Sequence, residues 1–94
     1  MTQIVFGSQF KLGQIVITRH ALDELSRDEW RLGLRRHMNG DWGELNTFDR
    51  EQNDLALIEG GRLMSRYESE RGTVFWIITE HDRSLTTILL PSDY

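Results

Sequence analysis

The pattern that most constrains the fold lies in the last third of the chain, where three short segments have the composition of strands. We predict strands at Arg62–Glu68, Thr73–Thr79 and Leu85–Leu90, separated by polar turns at Glu70–Gly72 and Glu80–Ser84. Connections this short force consecutive strands to run antiparallel, which predicts a three-strand meander. The segment Val74–Ile78 is apolar on both faces. We therefore expect it to be the central strand, with Trp76 buried.

The first part of the chain predicts two more strands and two helices. The strands are expected at Gln3–Phe6 and Gln14–Thr18, and a short helix should follow the second strand. Ser26 and Glu29 have the spacing of a capping box, in which each side chain accepts a hydrogen bond from the backbone of the other residue. Gly40 is suited to end the helix that this box begins.

A third helix is predicted after Asn46, which can serve as its N-cap. We expect Phe48, Leu55 and Ile58 to line the inward face of this helix. The expected fold class is α+β, as a single small domain over residues 1–94 in the order β-β-α-α-α-β-β-β. In this architecture the antiparallel C-terminal three-strand meander is packed against the helices.

Composition excludes several classes of protein. The chain has 94 residues and no cysteine, which excludes a disulfide framework, a thiolate nucleophile and a thiolate metal site. No apolar run reaches the ~18–20 residues that span a bilayer, and no signal peptide is visible. We therefore expect a cytoplasmic protein with no membrane association. The net charge of −4 does not favour a nucleic-acid partner.

Charge is segregated along the sequence. Six acids lie between Asp41 and Glu59 against the single base Arg50, and four arginines lie between Arg27 and Arg36. One interpretation is that two helix faces attract each other within the molecule. The alternatives are an anionic partner at the arginines or a cationic partner at the acids, and the acids favoured for that contact are Asp49, Glu51 and Asp54.

One group of residues has the types that small metal-independent ribonucleases use. His37 or Asp41 would serve as the base, Arg62 would hold the phosphate and Tyr67 would stack on a nucleobase. The structural alternative is that His37 is a hydrogen-bonded residue at a helix end. No histidine-carboxylate cluster has metal-ligand spacing, so we expect no metal and no cofactor.

Two further regions are candidate contact surfaces. Trp42 lies in the glycine-flanked turn Gly40–Gly43, where it either packs inward at a structured corner between two helices or anchors a partner. The polar tip of the last predicted hairpin carries His81, Asp82 and Arg83. Rigid strands that hold a polar loop are a common way to present a recognition surface. The predicted partner-binding residues are therefore Trp42, Asp49, Glu51, Asp54, His81, Asp82 and Arg83.

From Gly13 to Tyr94 the chain resembles a family of short proteins carried on bacterial plasmids, integrative elements and prophages. The matching positions are Arg36-His37-x-x-Gly40-Asp41-Trp42-Gly43, Asn53, Gly61-Arg62-x-x-Ser65-x-Tyr67, and Trp76-Ile77-Ile78-Thr79-Glu80-x-Asp82-Arg83-x-x-Thr86-Thr87-x-Leu89-Leu90-Pro91-x-x-Tyr94. The chain departs from the family pattern at Arg19-His20, where a proline-glycine pair often opens the first helix.

Some of these relatives carry the label of a type I restriction modification subunit. A methyltransferase needs a doubly wound sheet and a glycine-rich cofactor turn, and a chain of 94 residues with this order of elements does not supply them. The resemblance implies a mobile-element protein that meets host defence systems.

Three hypotheses follow. The first is a non-enzymatic interaction protein of mobile genetic elements that inhibits or modulates a host defence or maintenance complex by protein binding. The second is a small metal-independent, toxin-like endoribonuclease that uses His37, Asp41, Arg62 and Tyr67. The third is a structural domain that forms a homodimer through a sheet edge.

Overall fold

The computed structural model of the protein describes residues 10–94, which form one four-stranded sheet and three helices. The elements are β1 (Gln14–Ile17), α1 (Arg19–Glu24), α2 (Arg27–Met38), α3 (Thr47–Glu59), β2 (Leu63–Glu68), β3 (Val74–Thr79), β4 (Leu85–Leu89) and a 3-10 turn (Pro91–Asp93). The predicted α+β class is confirmed. In the described part of the chain, every helix is too short or too polar to cross a bilayer.

The sheet has the strand order β1-β4-β3-β2 and is mixed in direction. Strands β2, β3 and β4 form the predicted antiparallel meander. The sheet also contains a fourth strand, β1, which pairs in parallel with β4 and places Ile17 opposite Ile88. Three helices and two strands separate β1 from β4 along the chain, so no short connection fixes the partner or the direction of β1. The strand predicted at Gln3–Phe6 lies outside the described residues.

The helices begin where the capping residues predict. Thr18 caps α1 by accepting a hydrogen bond from the N–H of Ala21, and Asn46 caps α3 in the same way. The capping box of Ser26 and Glu29 at the start of α2 is present in both directions. After α2, Gly40 has a φ of 79°, a left-handed conformation that glycine adopts without steric cost.

Helices α1 and α2 cover one face of the sheet. The main cluster of buried apolar residues consists of Ala21, Leu25, Tyr67, Phe75, Ile77, Ile88 and Leu90. At Gly33 the backbone of α2 approaches the sheet so closely that a Cβ there would lie 2.8 Å from a ring carbon of Phe75. The absence of a side chain at position 33 therefore sets the separation of the helix from the sheet.

The prediction that Trp76 is buried is wrong, because Trp76 is only half-buried. Its neighbours Phe75 and Ile77 face the helices, so the alternation of a strand turns Trp76 to the opposite face. There its ring meets the edge of the Tyr94 ring, with 5.7 Å between the ring centroids. The apolar run of β3 is buried on its helix-facing side, whereas on the other face Ile78 is buried and Val74 and Trp76 are half-buried.

The third helix is oriented differently from the prediction. Phe48, Leu55 and Ile58 were expected on its inward face, but they are 66%, 47% and 83% exposed. The side chain that faces inward is Asn53, whose amide donates to the carbonyl of Met64 at 2.6 Å and accepts from its N–H at 3.2 Å. Because these polar bonds fix the rotation of α3 about its axis, the apolar stripe is turned outward.

The outer edge of β2 is covered by other parts of the chain. Next to the Asn53 contact, the N–H of Arg66 donates to the carbonyl of Trp42, and the N–H of Glu44 donates to the carbonyl of Arg66. The segment between α2 and α3 therefore runs along β2 as a one-residue parallel bridge at Gly43. The peptide groups that β2 turns outward at Met64 and Arg66 are thus already hydrogen-bonded.

Candidate functional site

His37 lies at the centre of a buried chain of hydrogen bonds. Its side chain is 0% exposed, with Nδ1 2.5 Å from the hydroxyl of Ser65 and Nε2 2.9 Å from the hydroxyl of Thr79. The Thr79 hydroxyl lies 2.7 Å from that of Thr86, which donates to the carbonyl of Leu12. Ser65, Thr79 and Thr86 were not predicted as partners of His37, because the contacts depend on a sheet register that sequence spacing does not give.

The hydrogen bond from Thr86 to Leu12, the last in this series, determines which atom carries the proton in each of the others. A hydroxyl carries one proton, and Thr86 uses its proton on the Leu12 carbonyl. Thr79 must therefore donate to Thr86 and accept from His37, which places the imidazole proton on Nε2 and leaves Nδ1 to accept from Ser65. Burial, with a contribution from the charge of Arg83, lowers the pKa of His37 to about 3. The imidazole is therefore neutral and fully bonded.

The four residues of the predicted nuclease do not converge on one surface. His37 is enclosed. Tyr67 is also buried, and its hydroxyl donates to the backbone carbonyl of Asp41 at 2.6 Å. Arg62 lies just before the start of β2, where it pairs with Glu80 at 3.6 Å. Burial raises the pKa of the Tyr67 hydroxyl, and because Tyr67 is 1% exposed, its ring has no open face on which a nucleobase could stack.

The corner between α2 and α3 is held by the side chain of Asp41. Arg36 donates to both carboxylate oxygens, at 2.7 Å and 3.2 Å, and lies 4.7 Å from the centroid of the Tyr67 ring. The N–H of Gly43 also donates to this carboxylate. The hydrogen bond from Arg36 is the main reason that the pKa of Asp41 is lowered. These contacts indicate a structural role for Asp41.

Two roles were predicted for Trp42, inward packing at the corner and contact with a partner, and its side chain is turned into the protein. It is 5% exposed, and its indole N–H donates to the carboxylate of Asp54 at 3.0 Å. The rings of Phe10 and His37 lie 6.2 Å and 5.6 Å from it. Trp42 therefore fills the space between the corner and α3. Asp54 accepts the hydrogen bond from Trp42 and is also exposed to solvent.

The tip of the β3–β4 hairpin also divides into structural and exposed residues. Arg83 was predicted to contact a partner, yet it is half-buried and donates to the carbonyls of Ala56 and Gly61 at the end of α3. The carboxylate of Asp82 accepts from the N–H and hydroxyl of Ser84. His81 and Asp82 are exposed. Arg83 thus fastens α3 to the hairpin, and two of the three predicted residues remain on the surface.

The outward side of α3 carries more exposed large apolar side chains than any other described element. We call it the acidic-apolar face and define it as Phe48, Glu51, Leu55, Ile58 and Glu59, all of which are exposed. Their spacing of three, four and seven residues places them on one side of a helix. Of the contact residues predicted on α3, Glu51 belongs to this face, Asp54 is exposed beside it and Asp49 is half-buried. An exposed apolar stripe bordered by charge is typical of a protein interaction site.

Helix α2 presents the opposite charge. Its exposed side carries Arg27, Arg31 and Arg35, with Leu32 55% exposed and Asp28 as the one acid among them. We call these five residues the arginine face. Among residues 10–94, no ion pair joins an arginine of α2 to an acid of α3. The interpretation that the two charged segments attract each other within one molecule is therefore not supported.

A cleft of about 190 Å³ lies between α2 and the β2–β3 turn. Tyr67 and Phe75 line its base, and Asp28, Glu68 and Glu70 are at its rim. Pockets for small organic ligands usually enclose ~300–1,000 Å³, so this cleft is small for such a ligand. In the described part of the chain, no three His, Cys, Asp or Glu side chains are grouped to hold a metal ion.

Comparisons of the chain with protein-family models, with curated proteins and with solved structures found no significant match. The assignment of a role therefore depends on the surfaces described above.

Proposed function

We propose that this protein is a non-enzymatic binding domain that contacts a cationic protein partner through the acidic-apolar face of α3. The observation that carries the proposal is the outward position of Phe48, Leu55 and Ile58, which are 66%, 47% and 83% exposed. Burial of apolar side chains stabilises a complex, whereas their exposure in the free protein gives no such gain.

The charge around the stripe defines the chemistry of the partner. Glu51, Asp54 and Glu59 are exposed on this side of α3. Arg50 is the basic residue of α3. It donates to the backbone carbonyls of Leu45 and Gly43, which hold its side chain near the first residues of the helix. A partner surface with apolar side chains bordered by lysine or arginine complements this surface, because apolar groups meet apolar groups and positive charges meet negative ones.

In its proposed setting, the protein belongs to a mobile genetic element and modulates a host defence or maintenance complex. This part of the proposal is supported by the sequence resemblance alone. A binding role also agrees with the enclosed position of His37, because a general base must come within hydrogen-bond reach of the proton that it removes.

The test is affinity capture from the organism that encodes the protein, followed by reconstitution with the purified partner. We expect the double variant Leu55→Ser and Ile58→Ser to lose at least about tenfold in affinity, since central apolar contacts dominate binding energies. The matched control is Leu22→Ser on α1, whose side chain has the same 47% exposure as Leu55. We also expect added salt to weaken the complex.

Two results would contradict the proposal. One is a partner whose affinity falls equally in the α3 variant and the Leu22 control. The other is cleavage of RNA by the purified wild type that is lost in His37→Gln while circular dichroism shows an intact fold.

A further inference from the structure

We infer that a second copy of the chain binds the acidic-apolar face of α3 through the arginine face of its α2. The inference rests on the same α3 surface as the proposed function, but it names a different occupant. Self-association would cover the apolar stripe in the free protein, and an external partner would then compete with the second copy for it.

The two faces match in charge. The arginine face has three arginines and one acid, and the acidic-apolar face has two glutamates, no base and the flanking Asp54. Arg27, Arg31 and Arg35 have no ion-pair partner among the described residues, and the same holds for Glu51 and Glu59. Both sets of charges are therefore available for a contact between molecules.

The two faces also match in length and apolar content. Arg27 and Arg35 are eight positions apart, as are Glu51 and Glu59, which at the rise of an α-helix is about 12 Å in each case. Two helices that lie side by side can thus bring both rows of charge into register. Leu32, which is 55% exposed, supplies an apolar side chain to pack against Leu55.

The same reasoning disfavours a contact between two α3 helices. Such a contact would bring Glu51 and Glu59 of both copies together without a base on either face, and like charges at an interface are repulsive. The contact between α2 and α3 joins two different surfaces and avoids this repulsion.

The experiment is sedimentation equilibrium across a range of protein concentrations, at low and at high salt. Wild type should associate at low salt and dissociate at high salt, because the charges at this contact lie on the surface and are screened. The variant pair Arg31→Glu with Arg35→Glu should be monomeric, and so should the pair Glu51→Arg with Glu59→Arg. Circular dichroism of each variant checks that it is folded.

Charge exchange provides the specific control. An equimolar mixture of the two variant pairs should associate, because the acidic α2 of one fits the basic α3 of the other. A single chain that carries all four substitutions should also recover self-association. The inference is overturned if wild type stays monomeric at low salt, or if association persists in either pair, or if the mixture and the four-fold variant both stay monomeric.

The failure of this inference and the failure of the proposed function give different results. Arg31→Glu with Arg35→Glu leaves α3 unchanged, so it should keep the external partner while it loses self-association. If instead self-association is intact and no partner requires Leu55 and Ile58, the proposed function fails and the contact between copies stands.

Discussion

Asn53 contacts Met64 in the manner of a residue on a neighbouring strand, with its side-chain amide bonded to both the carbonyl and the N–H of Met64. A side chain of a helix thereby takes the place of a backbone group along the edge of the sheet. Since Asn53 is also the buried residue of α3, this pair of bonds determines which side of the helix faces solvent.

Replacement of Asn53 by aspartate should destabilise the protein by about 1–3 kcal/mol, because the Met64 carbonyl loses its donor and meets a carboxylate. Denaturant unfolding at neutral pH measures this change. The matched control is Gln52→Glu, which makes the same change of charge at an exposed position one residue away. Equal effects of the two substitutions would show that the amide contact does not hold α3.

Gly33→Ala should destabilise the protein by about 1 kcal/mol or more, although alanine is the better helix former. The added Cβ would lie 2.8 Å and 3.0 Å from two ring carbons of the buried Phe75, and a buried ring cannot move away without disturbing its neighbours. Thermal unfolding checks the result, with Gln52→Ala at an exposed position of α3 as a control expected within about 0.5 kcal/mol of wild type. A Gly33→Ala protein more stable than wild type would contradict the close approach.

Substitution of the two adjacent aromatic residues of β3 should have unequal effects. Phe75→Ala removes a ring that is 2% exposed and should cost about 3–5 kcal/mol. Trp76→Ala removes a half-buried ring on the other face and should cost less, about 1–3 kcal/mol. Unfolding midpoints of the two variants rank the costs, and a Trp76→Ala variant less stable than Phe75→Ala would contradict the assignment of the faces.

The free energy of unfolding should fall as the pH decreases from about 7 to about 5. The pKa of His37 is about 3 in the folded protein, whereas the ordinary value for a histidine is 6.5, so below pH 6.5 the unfolded chain binds a proton that the folded protein does not. This stabilisation is complete above the unfolded pKa and is lost on acidification by about 1.4 kcal/mol per pH unit.

Urea titrations at several pH values test this dependence. His37→Gln should remove the slope between pH 7 and 5, where carboxyl groups stay ionised, whereas His81→Gln at an exposed position should retain it. An unchanged slope in the His37 variant would show that another group is responsible.

Most of the fold could be predicted because its signals are local. The capping box of Ser26, the end of α2 at Gly40 and the short turns of the meander each depend on a few neighbouring residues. The parallel pairing of β1 with β4 could not be predicted in this way, because its partner is about 70 residues away along the chain.

The surfaces were harder to predict than the fold, because exposure depends on tertiary contacts. Apolar spacing along α3 indicated a buried stripe, and the bonds of Asn53 reversed it. Tryptophan and arginine are common at protein interfaces. In this protein, however, Trp42 and Arg83 donate hydrogen bonds to groups within the molecule that are distant in sequence. Of the predicted contact residues, Glu51, Asp54, His81 and Asp82 are exposed.

The covered edge of β2 has a consequence for the behaviour of the protein at high concentration. An edge strand with free peptide groups can template the stacking of further chains, which is how fibrils are seeded. At Met64 and Arg66 those groups are already bonded to Asn53 and to the Trp42–Glu44 segment. At these two positions a further chain cannot extend the backbone hydrogen-bond ladder, even when the protein is crowded in an overproducing cell.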